Sequence, residues 1–273
     1  IAFVNKIDRM GARFHWVVEH IRAKLSVPAI PIQLPIGEAE AFDGIIDLIG
    51  GKAYRFDSTS MGAEIIEIPV PEPMLADVEL HRSILIESVA ERDEVLLDRY
   101  MEKPEVDASA LRAAIRRCVI AGSLLPVACG SSLRNQGVQL LLDAVVDFLP
   151  SPLDVPAIRG THPKTGEEVE RAASDHEPLS ALAFKIATDP YVGKLAYVRV
   201  YSGQLKKNTN AFNPRTRKRE KLMRILRVHA NQREDVEVLY AGEIGAISGQ
   251  KEVTTGDTLC AEQHPVVLER ITF

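Results

Sequence analysis

The sequence predicts an α/β domain carrying an α+β insertion, followed by an all-β barrel. Three observations predict it. Residues 1–25 and 124–149 each read as strand, loop and amphipathic helix, the repeating unit of an α/β sheet. The 95 residues from 29 to 123 separate those two units, far more than an ordinary connection. After residue 178 helical periodicity disappears, and short alternating runs follow one another between glycines. Bulk composition agrees: 273 residues, 46% hydrophobic, 26% charged and a net charge of 33 − 38 = −5 describe an ordinary globular chain. They argue against collagen, low-complexity disorder and a protein that merely coats nucleic acid.

Ile1-Ala2-Phe3-Val4 has neither an initiating Met nor a basic n-region, so it is no signal peptide. Four apolar residues suit the second half of a buried parallel strand. A domain rarely begins inside its own sheet, which predicts a piece of a larger protein. Residues 5–12 read as a loop. Phe14, Val17, Val18, Ile21 and Leu25 recur at helical spacing, and Pro28 closes that helix. Short apolar stretches at 30–36, 44–48, 53–56 and 65–68, set between Gly, Pro and Asp, predict short strands. Leu75, Val78, Leu85, Val89, Val95 and Leu96 carry helix through 71–100. A further helix covers about 109–121, with Asp107 or Ser109 as cap and Gly122 at its end. Leu124–Cys129 is again a strand, and Gly130-Ser131-Ser132 leads into a helix that Pro150 and Pro152 stop. The expected division is therefore 1–28 with 124–152, an inserted subdomain 29–123, a linker 153–178 rich in Pro, Gly, Asp, Glu and Thr, and a barrel 179–273. Three scattered cysteines (Cys118, Cys129, Cys260) without a Cys-x-x-Cys predict a reducing compartment and no structural zinc. No apolar run approaches the roughly 18 residues of a membrane helix.

Chemistry concentrates at Asn5-Lys6-Ile7-Asp8, directly after the first strand, at the carboxyl edge where open α/β sheets bind ligands. A carboxylate is acceptor-only. Asp8 can take the ring N1–H and the 2-amino group of guanine, whereas adenine offers no 2-amino group and an unprotonated N1. A buried charged acceptor left unpaired costs a few kcal/mol, which is enough to select the base. The Asn5 amide can donate to N7, and the Lys6 stem can lie over the base plane with its ammonium in water. A second contribution is expected from the loop Gly130-Ser131-Ser132-Leu133. Its backbone N–H groups, next to a helix N-terminus, can meet the 6-oxo group, and Ser131 can hold Asp8. No Gly-x-x-x-x-Gly-Lys-Ser/Thr loop occurs. Asp8-x-x-Gly11 and Asp47-x-x-Gly50 lie on the wrong side of the tetrad to be switch elements. No catalytic or metal-ligating residue is assigned.

These stretches resemble the elongation factor G family of ribosomal translocase GTPases. Phe3-Val4-Asn5-Lys6-Ile7-Asp8-Arg9-Met10-Gly11-Ala12 is similar to its guanine-specificity segment. Gln33-Leu34-Pro35-Ile36-Gly37 with Phe42-Asp43-Gly44-Ile45-Ile46-Asp47-Leu48 is similar to the start of its inserted subdomain. Gly130-Ser131-Ser132-Leu133-Arg134-Asn135-Gln136-Gly137 is similar to its last guanine-contacting loop, with Ser132 where the family usually has Ala. Ala183-Phe184-Lys185-Ile186, Asp189-Pro190-Tyr191-Val192-Gly193-Lys194-Leu195, Arg199-Val200-Tyr201-Ser202-Gly203 and Gly256-Asp257-Thr258-Leu259 resemble its second, barrel domain. The resemblance implies the later part of a P-loop-GTPase-type domain with its insertion, then a translation-factor barrel. It implies a cytoplasmic, monomeric whole protein that binds GTP or GDP, with Mg²⁺ held only by the full-length form. That protein hydrolyses GTP on the ribosome to drive translocation and takes part in recycling. The implied guanine contacts here are Asn5, Lys6, Asp8, Ser131, Ser132 and Leu133. The phosphate loop and both switches are not in this sequence, so the chain by itself is expected to be inactive. A sister ribosomal GTPase, of the ribosome-protection or release type, and a non-enzymatic RNA-binding barrel are the other readings.

Between Lys206 and His229 nine Lys/Arg face one acid, a local charge of +8 against −13 elsewhere. Such a run is often only a solvated face. Gathered on one hairpin, Arg215, Arg217, Lys218, Arg219 and Lys221 would suit RNA phosphates, and with Phe212 as the sole aromatic, base stacking is not expected. The resemblance implies small-subunit ribosomal RNA as that partner and ribosomal stalk proteins as the partner of the insertion. Trp16, the only tryptophan, is expected on the buried side of its helix, with His15 and His20 as surface or packing residues.

Overall fold

The structure is a computed structural model that describes residues 1–57, 59–60, 62–103, 105–189, 193–229, 232–250 and 252–268. It divides into two units, Ile1–Leu149 and Pro150–Phe273.

In the first unit, β1 (Ala2–Val4) is followed by α1 (Phe14–Leu25), which stops where Ser26 turns left-handed, then by β2 (Ala29–Pro31) and β3 (Gln33–Ile36). Next come β4 (Gly44–Asp47), β5 (Lys52–Phe56), β6 (Ile65–Ile68), α2 (Leu75–Ala90), α3 (Glu94–Glu102), α4 (Ala108–Ile120), β7 (Leu125–Cys129) and α5 (Val138–Phe148). The central sheet has the order β1-β7-β2, all parallel, with Val4 opposite Cys129 and Ala29 opposite Leu125. Val127, Ala128 and Cys129 on the middle strand are fully buried, as a strand covered on both faces requires.

Residues 29–31 were expected inside the insertion and belong instead to this central sheet. The apolar run 30–36 is two strands: Ile32 still donates to the Val127 carbonyl (3.0 Å), and from Gln33 onward the chain pairs antiparallel with β4. Pro31, which has no N–H to give, sits on an edge strand, where none is needed. The insertion itself is the antiparallel sheet β3-β4-β5-β6 with α2, α3 and α4. Its Ile45, Leu85 and Ile115 share one core with Phe14, Val127 and Phe148, so insertion and central sheet bury apolar surface together. Each such side chain contributes about 1.5–3 kcal/mol.

Local signals explain the helix ends. Asp107 accepts from Ser109 N (2.9 Å) and Ala110 N (2.8 Å), which settles the cap of α4. The long helical stretch breaks at Asp93, which caps α3 through Leu96 N (2.8 Å) and grips Arg117 of α4 through both carboxylate oxygens at 2.7 Å. Trp16 is not buried: it is 50% exposed, stacked on His20 at 3.7 Å with Arg13 over its ring.

The second unit contains β8 (Ile158–Thr161), β9 (Glu168–Arg171), β10 (Ser180–Asp189), β11 (Gly193–Ser202), β12 (Leu205–Lys206), β13 (Asn210–Asn213) and β14 (Lys218–Lys221). It continues with β15 (Arg224–His229), β16 (Gln232–Val236), β17 (Val238–Leu239), β18 (Ile244–Ser248), β19 (Thr258–Cys260) and β20 (Val267–Leu268). Eight strands form an antiparallel sheet, β14-β13-β19-β10-β11-β18-β15-β16, around a core that includes Val198, Val200, Leu205, Ile225 and Leu259.

The stretch read as linker is in part a hairpin, β8 with β9, to which β20 adds a third strand. Its turn is the polar sequence that suggested a linker: Gly166, at φ +73°, donates to the His162 carbonyl (2.9 Å). Of the barrel segment 189–195, residues 190–192 lie outside the described residues.

Candidate functional site

The tetrad follows β1 and the Gly-Ser loop follows β7, its parallel neighbour. Both loops therefore leave the sheet at the same edge. Backbone bonds tie them: Gly130 N donates to the Val4 carbonyl (3.1 Å) and Ile7 N to the Gly130 carbonyl (3.2 Å). Asn5 completes the joint. Its Oδ1 accepts from Lys6 N (2.8 Å), Ser132 N (3.0 Å) and Ser132 Oγ (3.1 Å). The oxygen end of the amide is spent, which leaves Nδ2 as the donor for a ligand. Lys6 adopts the left-handed conformation at φ +64°, a local cost of about 1–2 kcal/mol, and its carbonyl receives Arg9 N (3.1 Å) to close the turn. Ala39 N, from the insertion, donates to the Ile7 carbonyl (2.8 Å).

Asp8 is buried, and its partner is not Ser131. Arg134 approaches it, Nε to Oδ2 at 3.2 Å, whereas the buried Ser131 Oγ has no partner among the described residues. Two carboxylate oxygens offer about four lone-pair sites, so Arg134 fixes Asp8 and leaves acceptors for a base edge. The loop geometry also differs from expectation. Residues 130–132 do not abut the N-terminus of α5. A 3₁₀ turn (Ser132–Arg134), left-handed Asn135 and a two-residue bridge between Ser131 and Gln136 intervene. The loop N–H groups belong to that tight turn. Ser132's is spent on Asn5, and Leu133, 81% exposed, carries the next one. The loop is buttressed by the insertion. Gln139 Nε2 donates to the Gly62 carbonyl (2.7 Å), and a Cβ at Gly137 (φ +85°) would stand 2.5 Å from Ile45 Cδ1. Beneath it Cys129 is an inert core thiol: burial, with a smaller contribution from Glu38, pushes its pKa well up.

The five basic candidates of the barrel are only partly brought together. Arg215 is bonded to Asp257 (Nε to Oδ1 2.5 Å, Nη2 to Oδ2 2.8 Å), Lys218 to Glu252 (2.6 Å) and Arg219 to Glu262 (2.7 Å). Arg217 and Lys221 have no such partner among the described residues. The basic run is also not one hairpin. It runs from β12 to β15, and β14 and β15 lie toward opposite ends of the strand order; Arg224 pairs with Asp235 and Arg227 with Glu243. The neutralising acids lie far off in sequence, which is why the run looked bare. Arg134 is the site residue sequence reasoning missed; its place one residue past the assigned loop was the available signal.

A parallel α/β sheet whose adjacent carboxyl-edge loops carry an Asn-Lys-x-Asp turn and a clasping Ser loop defines a guanine-nucleotide-binding domain, here joined to a β-rich domain. Residues 1–151 match the family described as the elongation factor Tu GTP binding domain, and residues 178–262 match elongation factor G domain 2. The chain belongs to the translational GTPase family. It is also similar to the crystal structure of a protein from Thermus thermophilus at 30% identity and a TM-score of 0.78, over 99% of this chain and 38% of that one. The chain thus spans under two fifths of that relative's length.

Proposed function

We propose that this chain is the base-reading part of the GTP-binding domain, with its insertion (33–123) and second domain, of an elongation-factor-G-type GTPase. The observation that carries this reading is the Asn5 clasp. One amide oxygen joins the tetrad to the second loop and leaves the amide NH₂ to donate, while Asp8 lies buried beside Arg134. The residues fit a guanine base: Asp8 accepts from N1–H and the 2-amino group, Asn5 Nδ2 donates to N7, Lys6 covers the base plane, and the Leu133 N–H faces the 6-oxo group, with Ser131 and Ser132 shaping the loop. Bound GTP or GDP would supply the phosphates. The whole protein would bind Mg²⁺ and hydrolyse GTP on the ribosome in the cytoplasm to move tRNA and mRNA, while this chain alone would turn over none. Arg217 and Lys221 are the cations left for ribosomal RNA, and the insertion would meet stalk proteins.

Calorimetry tests the reading. GDP binds measurably better than ADP, and Asp8→Asn abolishes that preference while favouring xanthosine diphosphate, whose 2-oxo group accepts from the new amide. Equal affinity for GDP and ADP in the unaltered chain would overturn it.

A further inference from the structure

We propose a second binding site, a cleft in the Pro150–Phe273 unit that takes a small carboxylate on an apolar group through Arg171 and Arg199. The cleft has a volume of about 110 Å³ and lies beside the end of β9 and the middle of β11. Pro152, Pro156, Ile158 and Tyr201 give it apolar walls, and its charged lining residues are two arginines. A Cβ at Gly242 would stand 2.5 Å from Pro152 Cγ, so glycine there is what lets the proline close the wall.

Neither arginine is neutralised. The Arg199 side chain makes no hydrogen bond or ion pair with any described residue, and its guanidinium rests 5.2 Å from the Tyr201 ring centroid. Arg171 is oriented by two carbonyls, Nη1 to Glu170 (3.0 Å) and Nη2 to His264 (3.3 Å). The Nε of each is buried and lacks an acceptor among the described residues, a costly state for a charged donor. Carboxylates close in sequence to the lining residues bond elsewhere: Asp154 with Ser151 N (2.6 Å), Glu170 with Arg159 (2.9 Å), Glu243 with Arg227 (3.0 Å) and Tyr240 N (2.8 Å), Asp175 with Ala241 N (2.9 Å). Two guanidinium groups lining one apolar space match a carboxylate, whose charge they would balance and whose tail would meet the prolines. A phosphate dianion would bury a third oxygen against apolar walls that cannot replace its water.

The test follows the arginine Nε–H resonances of the full chain by NMR at constant ionic strength. Butyrate is expected to shift the Arg171 and Arg199 signals saturably, and butyramide, its uncharged counterpart, to leave them unmoved. Arg199→Gln should raise the half-saturating butyrate concentration about tenfold or more, and Arg199→Lys, which keeps the charge and loses the fork, should fall between. Amide dispersion checks that each variant is folded. N-acetylleucine binding tighter than butyrate identifies a peptide C-terminus as the source, and the reverse order a free acid; both support the site. No saturable shift, an equal response to butyramide, or tighter saturation by inorganic phosphate would overturn the proposal.

Discussion

Asp257 anchors the turn that carries the basic residues of β13–β14, and its removal has a calculable effect. The side chain is 2% exposed and receives Arg215, Asn213 Nδ2 (3.0 Å) and Thr254 N (3.0 Å). Burial pushes its pKa up, but the hydrogen bonds from Arg215, Thr254 and Asn213 and the Arg215 charge outweigh burial and hold it at about 2, against an ordinary 3.8. A folded-state pKa below the unfolded one stabilises the fold above pH 3.8, and that contribution disappears as pH falls through about 2. The difference corresponds to about 2 kcal/mol at neutral pH, an upper value because the Arg215 side chain is 38% exposed and can turn to water. Asp257→Asn should therefore destabilise the second unit by up to about 2 kcal/mol at pH 7, by about half as much at pH 3 and by about a sixth as much at pH 2. Urea unfolding followed by circular dichroism measures that gap. Fluorescence of Trp16, which lies in the first unit, serves as the internal control. A gap that stays constant from pH 7 to 3, or a Trp16 transition that moves with it, would refute the reasoning.

Three further outcomes are expected. Gly137→Ala forces a side chain into a left-handed backbone and against Ile45 and the Cys129 carbonyl, so the first unit should lose about 2 kcal/mol or more in urea denaturation. Asp93→Ala removes both the cap of α3 and the grip on Arg117, whose hydrogen bond to Asp93 lowers that carboxyl's pKa despite burial; the midpoint of thermal unfolding should fall by about 4–8 °C for a loss of about 2 kcal/mol. If the barrel binds RNA, Arg217→Gln with Lys221→Gln should lower the slope of log affinity against log salt by about 1.5–2, and Arg219→Gln, already paired with Glu262, by less.

The sequence makes legible whatever is local. Asn5 and Asp8 lie within four residues of each other at a strand end, and Asp107 stands directly before its helix. What depends on distant partners is hidden. The hairpin at 158–171 reads as linker because its third strand, Val267–Leu268, is about a hundred residues away. The basic run reads as bare because Glu252, Asp257 and Glu262 reach it only through the barrel topology. The exposed place of Trp16 is equally hidden, because helical spacing alone cannot say that His20 and Arg13, rather than the core, cover its ring.

The second loop of the base site has little freedom of its own. Gly62 holds Gln139 from outside, Ile45 leaves no room beside Gly137, and Ala39 bonds the tetrad directly. The insertion thus works as scaffolding for the rim it stands beside. A change that shifted those strands would therefore reach the joint between Asn5 and Ser132 through Gly137 and Ile7, without touching either residue directly.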